Sequence, residues 1–202
     1  MPRSCRLASA NPVVGLPGDE VLDLGRELLG CPIHHRRLNE ILSALPGFIR
    51  EFDLVPYRIA ERKGELKGVI LFHSEETGET YLRFVLRSRE CVSRIRKGLP
   101  KLLAEFPDLS VVTANLQPVP HAILEGPEEI VLTESATLRH SIDGIPFRLS
   151  PRAFVQTNSA VARELYRTAE DWIGESGASR VAELYCGQGA FSFFAARNPG
   201  VR

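Results

Sequence analysis

Long apolar runs are absent from this 202-residue sequence. A membrane-spanning helix needs about 20 predominantly apolar residues, so composition indicates a protein without one. The first residues, MPRSCRLASANPVV, hold too short an apolar stretch for a secretory signal peptide. With 44% hydrophobic and 25% charged residues, the composition is that of a soluble globular protein.

Cysteine is also scarce, with four residues at wide and irregular spacing: Cys5, Cys31, Cys91 and Cys186. Disulfide frameworks use cysteines that are closely and regularly spaced in short secreted chains. The spacing therefore excludes a disulfide scaffold and fits a reducing cytoplasm.

The chain has no excess of either charge, because 25 Lys and Arg balance 25 Asp and Glu. A domain that binds RNA alone is usually basic, so the balance argues against one. The charges are nevertheless grouped, with acids gathered at 75–79 and 125–134. Two interpretations stay open for the basic groups: a face that contacts RNA phosphates without reading sequence, or ordinary solvated faces. Those groups are Arg58, Arg62, Lys63 and Lys67, and then Arg83, Arg87, Arg89, Arg94, Arg96, Lys97 and Lys101.

A glycine turn near the C-terminus, ELYCGQGAFS at 183–192, is the most informative segment. Residues 181–185 predict a short buried strand, and 191–197 predict the start of a helix. Gly187 and Gly189 permit positive φ and leave room for a ligand against the backbone. A dinucleotide site would have a third glycine where Ser192 stands and an acidic residue about twenty positions later. The alternative without a ligand is a tight structural turn in an α/β domain.

A helix is predicted just upstream, after the segment FVQTN at 154–158. Asn158 is a suitable N-cap, and Gly174 and Gly177 end the helix. Since the helix leads into the predicted strand, its packing on a sheet would bring Gln156 close to the glycine turn. One apolar face at helical spacing is predicted to consist of Val161, Leu165, Thr168, Ala169, Trp172 and Ile173.

The central part, residues 30–142, predicts an α+β domain. Helices are expected at 36–52, interrupted by Pro46 and Gly47, and at 92–106, kinked near Pro100. Segments 65–73 and 80–87 alternate around a turn and predict a hairpin. Further strands are expected at 109–115, 130–133, 136–142 and 145–149. The domain boundary is placed near Asp143, and residues 1–29 are predicted to be irregular.

The pairing of FVQTN (154–158) with ELYCGQGAF (183–191) resembles the uracil-C5 RNA methyltransferases. Four other segments support the resemblance: LVPYRIAERKGELK at 54–67, LRFVLRS at 82–88, NLQPV at 115–119 and IVLTE at 130–134. It runs without large gaps from about Gly30 to the C-terminus. Within the family, the chain is most similar to members that act on 23S ribosomal RNA.

The resemblance implies S-adenosylmethionine (SAM) as methyl donor. The implied fold is an α+β central domain followed by the beginning of an α/β Rossmann-like class I SAM-dependent methyltransferase domain. Cofactor contacts are implied for Gln156 and Tyr185, with Gly187 and Gly189 shaping the wall around the donor. The family usually has Asp where Glu183 stands, so the longer arm puts a role of Glu183 near the methionine end in question.

The family reaction uses a cysteine thiolate that adds to C6 of uracil and a carboxylate that removes the C5 proton. Its Asn-Pro-Pro-Arg and Ser-Cys-Asn motifs do not occur in residues 1–202, so no catalytic residue is assigned. Cys186 is interpreted as a packing residue of the glycine turn. Cys91 lies beside Arg89 and Arg94, which could lower its pKa, but it is interpreted as a helix-start residue.

Cys31 corresponds in the family to the fourth ligand of a four-iron (4Fe-4S) cluster. Its three partner cysteines have no counterparts in this chain, so it is expected to be a thiol without metal. Cys31, His34 and His35 also raise the possibility of zinc, but a structural zinc site needs four ligands.

The residues after Asp143 are fewer than the roughly 100–150 that a doubly wound domain needs. The chain is therefore expected to be a fragment of an RNA methyltransferase. The alternative is a non-catalytic module that binds RNA or a partner and keeps a vestigial SAM motif. Reading the DNA beyond Arg202 for the two catalytic motifs separates these hypotheses. An incomplete sheet is also expected to make the chain dimerise or aggregate.

Overall fold

The computed structural model describes residues 30–119 and 125–202, and the backbone of three strands before them. These strands are β1 (Arg3–Ala8), β2 (Val13–Leu16) and β3 (Arg26–Glu27). The prediction of an irregular segment over 1–29 is corrected there. Strands this short, between Gly and Pro residues, leave no clear alternation in the sequence. β1 pairs with the edge of the strand Leu66–His73, β2 pairs with β1, and β3 pairs with β2.

A mixed sheet forms the centre of the molecule. The strands that come next in the chain are β4 (Leu66–His73), β5 (Thr80–Leu86), β6 (Leu109–Leu116) and β7 (Glu128–Val131). The order is β3-β2-β1-β4-β5-β6-β7, and β5 and β6 are parallel while the other neighbours are antiparallel. The predicted hairpin of β4 and β5 is confirmed. The parallel pair arises because a helix links β5 to β6, as parallel neighbours require.

Two helices cover one face of this sheet, α1 (Arg36–Glu51) and α2 (Val92–Glu105). Alternate residues of the strands, such as Leu82, Phe84 and Val112, pack against them in one apolar cluster. The buried face of α1 agrees with the prediction, but the interruption expected at Pro46 and Gly47 does not occur. The side chains around them, Ile41, Leu45 and Ile49, are buried, so tertiary packing overrides the local breaker.

A second layer covers the other face. It consists of the hairpin β8 (Leu138–Ile142) and β9 (Ile145–Leu149), and the helices α3 (Ser159–Ser176) and α4 (Ala190–Ala195). The second apolar cluster joins Tyr81 and Val111 of the sheet to these elements. The other buried members of this second cluster are Leu138, Ile142, Phe147, Leu149, Ala162, Tyr166 and Phe194.

Two predictions for this second layer are wrong. Residues 181–185 form no strand, because a parallel strand needs neighbours and no described strand lies beside them. The predicted apolar face of α3 does not pack on a sheet. Trp172 is 68% exposed and Val161 is 63% exposed, whereas Ala162 and Tyr166 face the core. The helix ends agree, with Asn158 as N-cap and Gly177 as left-handed C-cap.

Candidate functional site

The glycine turn before α4 has the backbone geometry that its sequence predicts. Gly187 and Gly189 have φ of 55° and 74°, and the amide of Gly189 donates to the carbonyl of Cys186 at 2.7 Å. Tyr185 is also left-handed, with φ of 58°, a conformation that costs a non-glycine residue about 1 kcal/mol or more. The turn therefore holds its backbone in a shape that a ligand can approach closely.

Glu183 has a structural role at this turn. Glu183 Oε2 accepts two hydrogen bonds from Ser192, one from the amide at 2.9 Å and one from the hydroxyl at 2.5 Å. Helix N-termini favour a carboxylate, because their first amide groups lack helical partners. The longer arm of Glu183 thus stabilises the start of α4.

The two segments of the predicted cofactor site meet the same apolar cluster. Val155, next to Gln156, and Phe191, just after the turn, both pack against the second cluster. The Tyr185 side chain is fully exposed and Gln156 is half-buried. The structure thus attaches the FVQTN segment and the glycine turn to one core, while the cofactor contacts of Gln156, Tyr185, Gly187 and Gly189 remain predictions.

The buried Cys91 does not have the features of a nucleophile. Cys91 is buried, and burial raises the pKa of its thiol even though an Arg94 nitrogen lies 3.1 Å from Sγ. The alternative of a lowered pKa is therefore wrong. Cys186 is exposed in the glycine turn, so its interpretation as a packing residue is wrong.

Cys31 lies just before α1, next to His34 and His35. Its carbonyl accepts from the amide of His34 and from Asn39 Nδ2, both at 3.1 Å. The His34 ring contacts Asn39, while His35 caps α1 by accepting from the amide of Arg37. Across residues 30–119 and 125–202, no group of three His, Cys, Asp or Glu could hold a metal ion. The described residues thus place no further ligand group beside Cys31, and its metal role stays a prediction.

Most cations of the second basic group form ion pairs with acidic residues of the same chain. Arg83, which is fully buried, pairs with Glu125 at 2.8 Å and with Glu129 at 2.9 Å. Further pairs with acids join Arg87 to Glu65, Arg89 to Glu128, Arg94 to Asp53 and Glu90, and Lys101 to Glu51. The sequence concealed most of these pairs because the partners lie 22–50 residues apart.

Two arginines fix the backbone that leads to Gln156, and sequence reasoning missed this role. Arg83 Nη2 donates to the carbonyl of Pro151 at 2.5 Å. Arg152 Nη2 donates to the carbonyl of Gly126 at 2.9 Å and to that of Pro127. Backbone carbonyls give no sequence signal, so only the fold reveals these contacts.

The acidic turn between β4 and β5 (residues 75–79) also has a role that its charge alone did not predict. Glu76 accepts hydrogen bonds from the Ser141 hydroxyl at 2.6 Å, the Asp143 amide at 2.7 Å and Arg163 Nη2 at 2.9 Å. Asp143, at the tip of the β8–β9 hairpin, pairs with Arg167 and Arg197. The turn therefore ties the sheet to the hairpin and to α3, and the hairpin in turn pairs with Arg197, just after α4.

This contact makes stability depend on pH. Burial alone would raise the pKa of Glu76, but hydrogen bonds from Ser141, Asp143 and Arg163 outweigh it and lower the pKa from 4.5 to about 2. A lowered folded-state pKa stabilises the protein above about pH 4.5, and the contribution is lost as the pH falls toward 2. We expect wild type to exceed Glu76→Gln by roughly 2 kcal/mol at pH 6, after screening by solvent, and by much less at pH 2.5.

Urea denaturation of both proteins from pH 7 to pH 2.5 measures this difference. The control is Glu164→Gln, because the Glu164 side chain is 74% exposed and its ion pair with Arg167 is long, at 3.9 Å. It should follow wild type at every pH. A constant difference between wild type and Glu76→Gln over the whole range would contradict the assignment.

The fold defines a class of protein. The crystal structure of Pyrococcus abyssi tRNA (uracil-54, C5)-methyltransferase in complex with S-adenosyl-L-homocysteine matches with a TM-score of 0.75. The match covers 98% of this chain and 47% of that protein, at 19% sequence identity, which establishes likeness of fold. The architecture is thus an α+β domain leading into the first elements of an α/β, Rossmann-like methyltransferase domain.

Sequence comparison is more specific. The chain is 42% identical over 189 residues to the 23S rRNA (uracil(747)-C(5))-methyltransferase RlmC of Shewanella amazonensis, and 42% identical over 193 residues to that of Shewanella baltica OS185. These matches cover 94% and 95% of this chain, but only 49% and 48% of the relatives. The predicted resemblance is confirmed, and the chain spans about half the length of the curated relatives it matches. No protein-family model matches the chain.

No helix in the described part of the chain is long and apolar enough to cross a bilayer.

Proposed function

We propose that this chain provides the RNA-orienting domain and the first part of the cofactor site of a SAM-dependent RNA uracil-C5 methyltransferase. The observation that carries the proposal is 42% identity to an RlmC methyltransferase over 94% of the chain. The proposed substrate is a uracil of 23S rRNA, and the proposed location is the cytoplasm. The reaction's nucleophile and base have no assigned residue in this chain.

The roles proposed for individual residues in cofactor binding are based on the geometry of the glycine turn and its surroundings. SAM supplies an electrophilic methyl group when bound. The fully exposed Tyr185 ring offers a surface for packing, and Gly187 and Gly189 let the backbone approach the ligand. Gln156 offers an amide that both donates and accepts hydrogen bonds. Arg83 and Arg152 support this arrangement by fixing the backbone just before Gln156.

Calorimetric titration of SAM into the purified chain tests the proposal. We expect weak binding, and Gln156→Ala should weaken it at least tenfold because an amide hydrogen bond to a charged ligand contributes about 1.5–3 kcal/mol. Gln188→Ala is the matched control, since Gln188 is an exposed residue of the same turn, and it should bind as wild type does. Binding that Gln156→Ala leaves unchanged would contradict the assignment. Absence of binding would leave the family resemblance unchanged and would mean that the residues of this chain do not form the cofactor site by themselves.

Self-association stays a prediction, now with a defined surface. Several large apolar side chains are exposed on and near α3: Val161, Leu165, Trp172, Leu184 and Phe193. Exposed apolar surface of this kind favours association. Light scattering at high concentration tests it, and a clean monomer would contradict it.

A further inference from the structure

The loop at residues 55–67 is an ordered surface element. Isolated bridges join Pro56 to Leu66 and Arg58 to Lys63. Gly64 has φ of 97°, and a Cβ there would lie 2.1 Å from the carbonyl oxygen of Pro56. The backbone of this segment, named the 55–67 loop, is therefore held in one conformation and presents its side chains in fixed positions.

The side chains of the 55–67 loop combine cations with aromatic and apolar groups. Lys67 Nζ lies 4.9 Å from the centroid of the half-buried Tyr57 ring, and Ile59 is 47% exposed. Arg62 and Lys63 are exposed, and neither has an ion pair among the described residues, whereas Arg58 pairs with Glu61. Most cations of the second basic group pair with acids, and its two exposed cations without an ion pair among the described residues, Arg96 and Lys97, lie on α2. In the first group, Arg62 and Lys63 lie in the same loop as the Tyr57 ring.

A series of contacts links this loop to the segment that carries Gln156. Lys67 donates to the side chain of Gln117 and, at 2.6 Å, to the carbonyl of Val119. Two residues before Gln117, Asn115 accepts from the amide of Gly126 at 2.6 Å. Arg152 then donates to the carbonyl of Gly126. These contacts therefore connect the 55–67 loop, through the end of β6, to Arg152, four residues before Gln156.

We propose that the 55–67 loop binds a single-stranded stretch of RNA, with Tyr57 stacking on a base and with Arg62 and Lys63 contacting phosphates. Sites for single-stranded nucleic acid combine cations along the backbone with aromatic rings on which bases stack. The loop has both. This inference rests on the proposed function for the choice of RNA as partner.

Fluorescence anisotropy with a labelled, uracil-containing single-stranded RNA tests the inference. The double variant Arg62→Gln/Lys63→Gln should weaken binding roughly tenfold near 0.1 M salt and should reduce the slope of log K against log salt by about 1.4, since each phosphate contact contributes about 0.7. The control, Arg96→Gln/Lys97→Gln, removes two exposed α2 cations without ion pairs among the described residues, and should change neither value. Tyr57→Leu should weaken binding without changing the slope.

Equal weakening by the two double variants, or no measurable RNA binding by wild type, would overturn the inference. The substituted cations are exposed, so the double variants should fold, and circular dichroism checks this. SAM titration of Arg62→Gln/Lys63→Gln separates the RNA-binding role of the 55–67 loop from the proposed function. Unchanged RNA binding in this variant would refute the loop assignment alone, whereas SAM binding tests only the proposed cofactor site.

Discussion

Replacing Arg83 by methionine should lower the free energy of unfolding by about 3–5 kcal/mol, as expected when one partner of a buried ion pair is removed. The Arg83 side chain is 1% exposed and binds Glu125, Glu129 and the carbonyl of Pro151. Without it, Glu129, which is 14% exposed, keeps hydrogen bonds from Thr113 and Asn115 but loses its cation. Urea denaturation followed by circular dichroism measures the loss.

Arg89→Met is the matched control for this prediction. Arg89 pairs with Glu128, the neighbour of Glu129 on β7, but the two side chains are 70% and 41% exposed. Exposed pairs contribute less than about 1 kcal/mol, so Arg89→Met should change stability little. Similar losses in the two variants would show that burial does not determine the effect and would contradict the role assigned to Arg83.

Gly126→Ala should lower the free energy of unfolding by about 3 kcal/mol or more, because overpacking against backbone leaves no room for adjustment. A Cβ at Gly126 would lie 1.6 Å from the carbonyl oxygen of Leu116. The Gly126 backbone is also bonded to both ends of the Asn115 side chain, so the loop cannot move away without breaking those contacts. Denaturation curves of the variant and wild type measure the change.

Gly47→Ala is the opposite case and the control. Gly47 lies inside α1, is exposed, and has no atom within 4 Å of a Cβ placed there. Alanine should therefore raise stability by about 0.5–1 kcal/mol through its higher helix propensity. If Gly126→Ala were as stable as wild type, the close contact with Leu116 would not exist in solution.

Much of the central domain could be predicted because local patterns agree with its tertiary packing. The apolar spacing of α1 and the alternation of β4 and β5 around the acidic turn both match the structure. The interruption expected at Pro46 and Gly47 is wrong, because the buried side chains around them hold the helix together. The strand at 181–185 failed for a related reason, since strands depend on neighbours that a local pattern does not reveal.

For the candidate site, the backbone signals were predictable and the pairings were not. Positive φ at Gly187 and Gly189 is expected from the residue type, as is the cap at Asn158. Arg83 was assigned to a surface basic group, yet it is buried. Its acidic partners lie more than 40 residues away, so the sequence did not reveal the pairing. Charge counted along a sequence therefore does not tell which cations are available to bind RNA.

The FVQTN segment and the glycine turn are proposed to face one SAM site, and this is the central claim about the molecule. The most direct test is a titration of the ¹⁵N-labelled chain with S-adenosylhomocysteine, followed through its amide resonances. We predict shifts at Gln156, Tyr185, Gly187 and Gly189 together, with none along α2. Absence of shifts at all four residues, or shifts confined to other parts of the chain, would contradict the claim.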